Sequence, residues 1–216
     1  MKAQVSASLP GGSSITRDNG MLHPATELRL IGKSLGYGVV ATAFIPRGTI
    51  TWVKDDLDQN FTAAALQAMA LPYRKILETY TYVDREGRHV LCWDIARFVN
   101  HSCDPTSRSP GYDLEVAVRD IQPGEQVTDD YGSLNVLPGF ETCHCDSPRC
   151  RRQIHPDDLL RYTDQWDDEL REVFPLIPQV DQPLWFFVRE KAELEDVFAG
   201  RAPMASSVRN YYKSRG

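Results

Sequence analysis

Apolar residues in the first half of the chain come in short runs, at 28–31, 39–45 and 49–53, broken by glycines and by Pro46-Arg47-Gly48. Such runs predict strands joined by turns. Residues 62–70 are good helix formers; Thr62 or Asn60 can cap them and Pro72 can stop them. Runs at 80–83 and 89–93 flank a turn at Glu86-Gly87 and predict a hairpin with Tyr80 and Tyr82 on one face. Residues 114–118 alternate as a half-buried strand, and Pro123-Gly124 turns the chain towards Val127. Beyond Cys150 the period changes. Leu159, Tyr162, Trp166, Leu170 and Phe174, then Leu184, Phe187, Val188, Leu194 and Phe198, fall at helical spacing and predict two helices capping the strands. The acidic residues between 157 and 172 then occupy the opposite face, either solvated or forming a dock for a basic peptide. Residues 1–24 are rich in Ser and Gly without periodicity and read as a mobile arm. No internal repeat is visible.

Composition narrows the classes. A chain of 216 residues that is 42% apolar can bury one sizeable core and a small appended subdomain. Its formal charge of −6 disfavours a nucleic-acid backbone as ligand and suits a basic partner better. No run reaches the length of a membrane span and no signal peptide is recognisable, so an intracellular protein, cytoplasmic or nuclear, is expected. In that setting the five cysteines are reduced thiols or metal ligands rather than disulfides.

Cys143, Cys145 and Cys150 cluster within eight residues, and Cys103 stands far upstream in Asn100-His101-Ser102-Cys103. Closely spaced thiolates suit a tetrahedral zinc site. His155, five residues after Cys150, is a local candidate for the fourth ligand. Cys92 is left over as a small buried hydrophobe, and His144 is expected to point outward.

Three further strings follow one another: Gly36-Tyr37-Gly38-Val39, the run from Arg97 through Asn100-His101-Ser102-Cys103 to Pro105, and Gly124-Glu125-Gln126-Val127-Thr128-Asp129-Asp130-Tyr131-Gly132. Together they resemble the SET-domain family of protein lysine methyltransferases, and the cysteine cluster resembles its zinc-binding post-SET segment. The resemblance implies a mostly β, β-clip-like SET fold with short helices, a threaded pseudoknot-like core and a C-terminal helical extension. It divides the chain into an arm (1–24), a SET domain (25–135), a post-SET zinc segment (136–152) and the extension (153–216).

The resemblance also implies site roles. S-adenosylmethionine would lie against Gly36, Tyr37, Gly38, Arg97, Asn100, His101 and Tyr131. Tyr131 matches the family's catalytic tyrosine, with Tyr82 as a second catalytic candidate and Tyr80 and Asp129 facing the substrate. One structural zinc would use Cys103, Cys143, Cys145 and Cys150. The implied partner is a basic protein or peptide with a target lysine, such as a histone or ribosomal protein. Lysine must be neutral to accept a methyl group, and a narrow apolar channel beside a sulfonium lowers its pKa by desolvation and like-charge repulsion.

Three departures stand beside the resemblance. Asp129 occupies a position where many relatives have Phe or Tyr; no cysteine precedes Cys92; and Thr51-Trp52-Val53-Lys54 lacks the Tyr-x-Gly-Glu pattern of many histone-directed relatives. A SET-like module that binds zinc and cofactor without turnover is therefore a second reading. A zinc ribbon for nucleic acid, resting on Arg149, Arg151 and Arg152, is a third.

Overall fold

The computed structural model describes residues 20–33, 35–135, 142–143 and 145–212. His144 and the arm as far as residue 19 lie outside the described residues. The chain opens with the antiparallel pair β1 (Thr26–Gly32) and β2 (Gly36–Ala41), then β3 (Ile50–Val53) and β4 (Gln59–Phe61). Helices α1 (Ala63–Ala68) and α2 (Leu71–Tyr80) lead into β5 (Thr81–Val83) and β6 (His89–Leu91). The short strands β7 (Asn100–His101) and β8 (Ser107–Arg108), then β9 (Leu114–Ala117) and β10 (Thr128–Asp129), complete four small sheets. Helices α3 (Asp158–Val173) and α4 (Lys191–Phe198) follow. Up to β10 the described residues are mostly strands with short helices and form no closed barrel, consistent with the fold that the resemblance implies.

The predicted strands form where the apolar runs lie, and Thr62 caps α1 by accepting a hydrogen bond from the Ala65 amide at 3.1 Å. Pro72 does not simply end a helix. It sits in the first turn of α2, where a residue without an amide proton costs nothing. Because α2 runs through Tyr80, the expected strand at 80–83 is shortened to β5, and Tyr80 and Tyr82 do not share a strand face.

Two apolar clusters form the interior. Leu22, Val39, Ala41, Ile45, Ala117, Ile121 and Val127 make one. The other joins Ile50 and Val53 of β3 and Leu114 and Val116 of β9 to Leu170 and Val173 of α3, with Ile177, Leu184 and Leu194 beyond. The C-terminal helices therefore share a core with a sheet. Three details differ from the sequence expectation. Leu22 is buried and Met21 donates its amide to Asp94 at 2.7 Å, so packing begins within the segment assigned to the arm. The second helical stretch divides into a 3-10 turn at Trp185–Phe187 and α4. Asp158 and Asp167 of α3 are buried instead of solvated: Asp158 lies 3.5 Å from Arg151, and Asp167 accepts from the Ser207 amide at 2.8 Å. No helix among the described residues is long and apolar enough to cross a membrane.

Candidate active site and metal centre

The parallel pairing of β7 with β10 sets Thr128 beside Asn100 and Asp129 beside His101. Two strings far apart in sequence are thereby joined. Tyr131 follows β10 in a short 3-10 turn, where its hydroxyl donates to the Val99 carbonyl at 2.7 Å and its amide donates to His101 Nδ1 at 3.1 Å. Burial, followed by the nearby charge of Asp129, raises the Tyr131 hydroxyl above its ordinary range, so it stays protonated.

His101 faces two ways. Its Nδ1 accepts from Tyr131, which leaves the proton of the neutral ring on Nε2, 3.3 Å from Cys103 Sγ. Burial holds this imidazole down at about 4. His101 thus donates to a sulfur and does not offer it a lone pair.

Asn100 donates from Nδ2 to the Tyr37 carbonyl at 3.2 Å and to Gln126 Oε1 at 3.0 Å, tying the glycine string to the segment before β10. A Cβ at Gly38 would lie 2.7 Å from both Asn100 Nδ2 and Gln126 Oε1, so this close approach requires glycine. Gly36 has φ +72° with open space beside it and serves the turn. Tyr37, Phe98 and Tyr80 form an edge-to-face row, with centroids 6.0 and 5.3 Å apart. Tyr37 and Tyr80 are exposed, and the Arg97 guanidinium lies over Phe98 at 5.1 Å. An exposed aromatic row beside backbone groups and an amide suits a flat purine and its polar substituents. Tyr80, expected on the substrate side, packs with these aromatics while also reaching the cavity described next.

Behind Tyr131 lies a cavity of about 220 Å³ whose lining includes Trp52, Tyr80, Tyr82, Glu115, Asp129 and Tyr131. Tyr82 packs edge-on against Trp52 at 6.0 Å. Cys92 is buried, and its thiol is pushed well above the ordinary range by desolvation.

The sulfurs gather at the other end of His101. Cys143 Sγ lies 3.6 Å from Cys103 Sγ and 3.6 Å from Cys150 Sγ, and Cys145 Sγ accepts from the Cys103 amide at 3.4 Å. The donor atoms of His101, Cys103, Cys143 and Cys145 all lie within 4.8 Å of one another. Zinc–sulfur bonds of about 2.3 Å put the corners of a tetrahedron about 3.8 Å apart, so the separations of Cys143 from Cys103 and from Cys150 fit such an ion, although Cys150 is not in that group of four. Burial pushes the Cys103 thiol up to about 11, so the protein alone does not supply its thiolate. His155 is outside this cluster; its carbonyl accepts from the Asp158 amide where α3 begins.

Sequence reasoning missed the residues that join the two ends. Arg151 makes a two-pronged pair with Asp130, Nη1 to Oδ2 and Nη2 to Oδ1, both at 2.6 Å, while its amide donates to Cys103 Sγ at 3.4 Å. Asp130 is wholly buried and accepts from the Gly132 amide at 3.0 Å. Desolvation alone would raise its pKa, but the Arg151 hydrogen bonds and charge outweigh that and hold it below the usual carboxylate range. Arg149 pairs with Asp104. Two of the three arginines offered for nucleic acid are thus engaged within the protein. Glu115 was expected to be an ordinary alternating strand residue, yet it lines the cavity.

Residues 36–132 match the family model described as SET domain. That stretch is similar to a SET domain, and the cysteine cluster fits the zinc-binding segment that follows such domains. Among curated relatives, the histone-lysine N-methyltransferase Set2 of Drosophila melanogaster is 31% identical over 83 residues, covering 35% of this chain and 4% of that protein. A histone-lysine N-methyltransferase, H3 lysine-36 specific, of Cryptococcus neoformans is 26% identical over 129 residues, covering 53% of this chain and 15% of its own. Its namesake in Eremothecium gossypii is 32% identical over 85 residues, covering 36% of this chain and 12% of its own. The matches therefore span at most 15% of these three relatives.

Proposed function

We propose that this chain is an S-adenosylmethionine-dependent protein lysine N-methyltransferase. The observation that carries this reading is the placement of Tyr131, which lines the cavity and touches both Val99 and His101 beside the glycine string. When bound, S-adenosylmethionine supplies the methyl group. Tyr37, Phe98, Arg97 and Asn100, with the backbone of Gly36 and Gly38, would hold it, while His101 fixes the Tyr131 loop. Tyr131 and Tyr82 would orient the lysine amine and exclude water, so that catalysis is mostly positioning and electrostatics.

One zinc ion held by Cys103, Cys143, Cys145 and Cys150 would clamp the post-SET segment onto this site. A basic protein is the proposed substrate, and the names of the relatives make a histone tail the first to try. A nuclear location would go with it. Incubation with labelled cofactor and either histones or a basic protein pool should label lysines, and Tyr131→Phe should remove most of that label at unchanged cofactor affinity. Equal labelling by both proteins would refute the role of Tyr131. Cofactor binding without transfer to any lysine-rich protein would favour a non-catalytic module, the reading motivated by Asp129.

A further inference from the structure

Two of the acids that line the cavity beside Tyr131, Glu115 and Asp129, come from separate sheets. Glu115 projects from β9, opposite Trp52 of β3, whereas Asp129 ends β10. Glu115 Oε2 is sealed from solvent and has no hydrogen-bond partner among the described residues. Asp129 uses Oδ1 to accept from the Asp130 amide at 2.6 Å. Arg151 is bound to Asp130, and Arg108 Nε donates to Glu169 at 2.9 Å while its Nη1, 3.8 Å from Asp130, is buried without a hydrogen-bond partner, so Arg108 acts on the two acids through its charge alone. The pair is left facing a cavity walled by Trp52, Tyr82 and Tyr131.

Two buried carboxyls that share the charge of one guanidinium and receive no hydrogen bond from it are under-compensated, and an incoming cation relieves that cost. Aromatic faces add to the attraction for an alkylammonium. Resting on the methyltransferase reading, we infer that Glu115 and Asp129 form the receptor for the substrate ammonium and that Asp129 accepts its proton. An N–H bond of the ammonium breaks, its electron pair stays on nitrogen as the lone pair needed for methylation, and the proton forms an O–H bond on the Asp129 carboxylate.

The environment supports this division. Burial raises Asp129 to about 7, with Asp130 adding and Arg108 subtracting; burial and the charge of Asp129 raise Glu115 well above the carboxylate range. Near neutrality Asp129 is poised between forms. Among the other titratable or charged groups of the lining, Tyr131 stays protonated, and burial also raises the Tyr82 hydroxyl and the Cys92 thiol; Glu78, Tyr80, Asp84, Arg85, His89, Arg97, Tyr112 and Asp113 stand elsewhere along it. Free lysine holds its proton about three units more tightly than this, and desolvation of a buried amine by 3–5 units closes that gap.

The test uses the full chain and n-butylammonium as probe, with binding followed by titration calorimetry at mildly alkaline pH. Asp129→Asn keeps an acceptor for the Asp130 amide, and Glu115→Gln alters an oxygen that has no partner, so both should fold. Asp129→Asn should weaken probe binding about tenfold or more and Glu115→Gln about threefold or more, as expected for loss of charged hydrogen-bond partners. With a peptide substrate, kcat/KM of the wild type should fall below about pH 7, and that fall should be absent from Asp129→Asn. Failure of the wild type to bind butylammonium, or unchanged binding in both variants, overturns the inference. Intact, variant-sensitive probe binding without methyl transfer to any protein would sink the methyltransferase reading and leave the ammonium receptor standing.

Discussion

Arg151 grips Asp130 through two hydrogen bonds of 2.6 Å, although the two residues belong to segments on opposite sides of the sulfur cluster. Asp130 immediately precedes Tyr131, and Arg151 immediately follows Cys150. The pair is therefore a second tether, independent of any metal, between the post-SET loop and the Tyr131 loop. Replacing Arg151 by Ala strands a buried carboxylate, which should cost about 3–5 kcal/mol in urea unfolding. The pKa of Asp130 is depressed, so the pair's contribution is present above the unfolded carboxylate value near 4 and is lost as pH falls through the lower folded value. Wild type and Arg151→Ala should converge in stability only in strong acid.

Zinc analysis of purified protein should give about one ion per chain. Cys103→Ser should lose most of it, whereas His155→Ala should keep it, because Cys103 Sγ stands 3.6 Å from Cys143 Sγ while His155 is outside the cluster. Chelation should weaken S-adenosylmethionine affinity before the core unfolds, since His101 links Cys103 to the Tyr131 loop. Unchanged affinity in chelator would show that the Arg151–Asp130 tether suffices.

Gly38→Ala should be more damaging than its single methyl group suggests. The new Cβ would meet Asn100 Nδ2 and Gln126 Oε1 at 2.7 Å and push Asn100 off the Tyr37 carbonyl. Overpacking of this kind costs about 1–3 kcal/mol. Thermal melting should register that loss, with a parallel drop in cofactor affinity by titration. Gly36→Ala, in open space at positive φ, should affect the turn but not the Asn100 contacts.

Local patterns carried the strands, α1 and α3, because apolar runs and helical spacing report directly on nearby backbone. The motif order carried the meeting of the Asn100 and Tyr131 strings, which no local propensity encodes. What stayed hidden depends on partners distant in sequence. Arg151 reads as part of a basic run with Arg149 and Arg152 until Asp130, 21 residues earlier, is seen to face it. Glu115 reads as the wet side of an alternating strand because alternation cannot reveal that both faces of β9 are covered. Pro72 is ambiguous in principle: the same ring that stops one helix can start the next.

Acid stability should separate two buried groups of opposite sign. Burial lowers the His23 imidazole from 6.5 to about 4, so between those values the unfolded chain binds more protons and acidification favours unfolding. Burial, with the charge of Asp55 adding, raises Asp58 from 3.8 to about 6, so in that window the folded chain takes up the proton first and acidification favours the fold. On going from about pH 7.5 to about pH 5, His23 should cost the wild type about 2 kcal/mol and Asp58, which solvent partly screens, should return at most about 1 kcal/mol. His23→Gln should therefore gain stability relative to wild type on acidification, and Asp58→Asn should lose it. Urea midpoints for the three proteins at the two pH values measure both differences; parallel shifts in all three would show that neither group senses its burial as described.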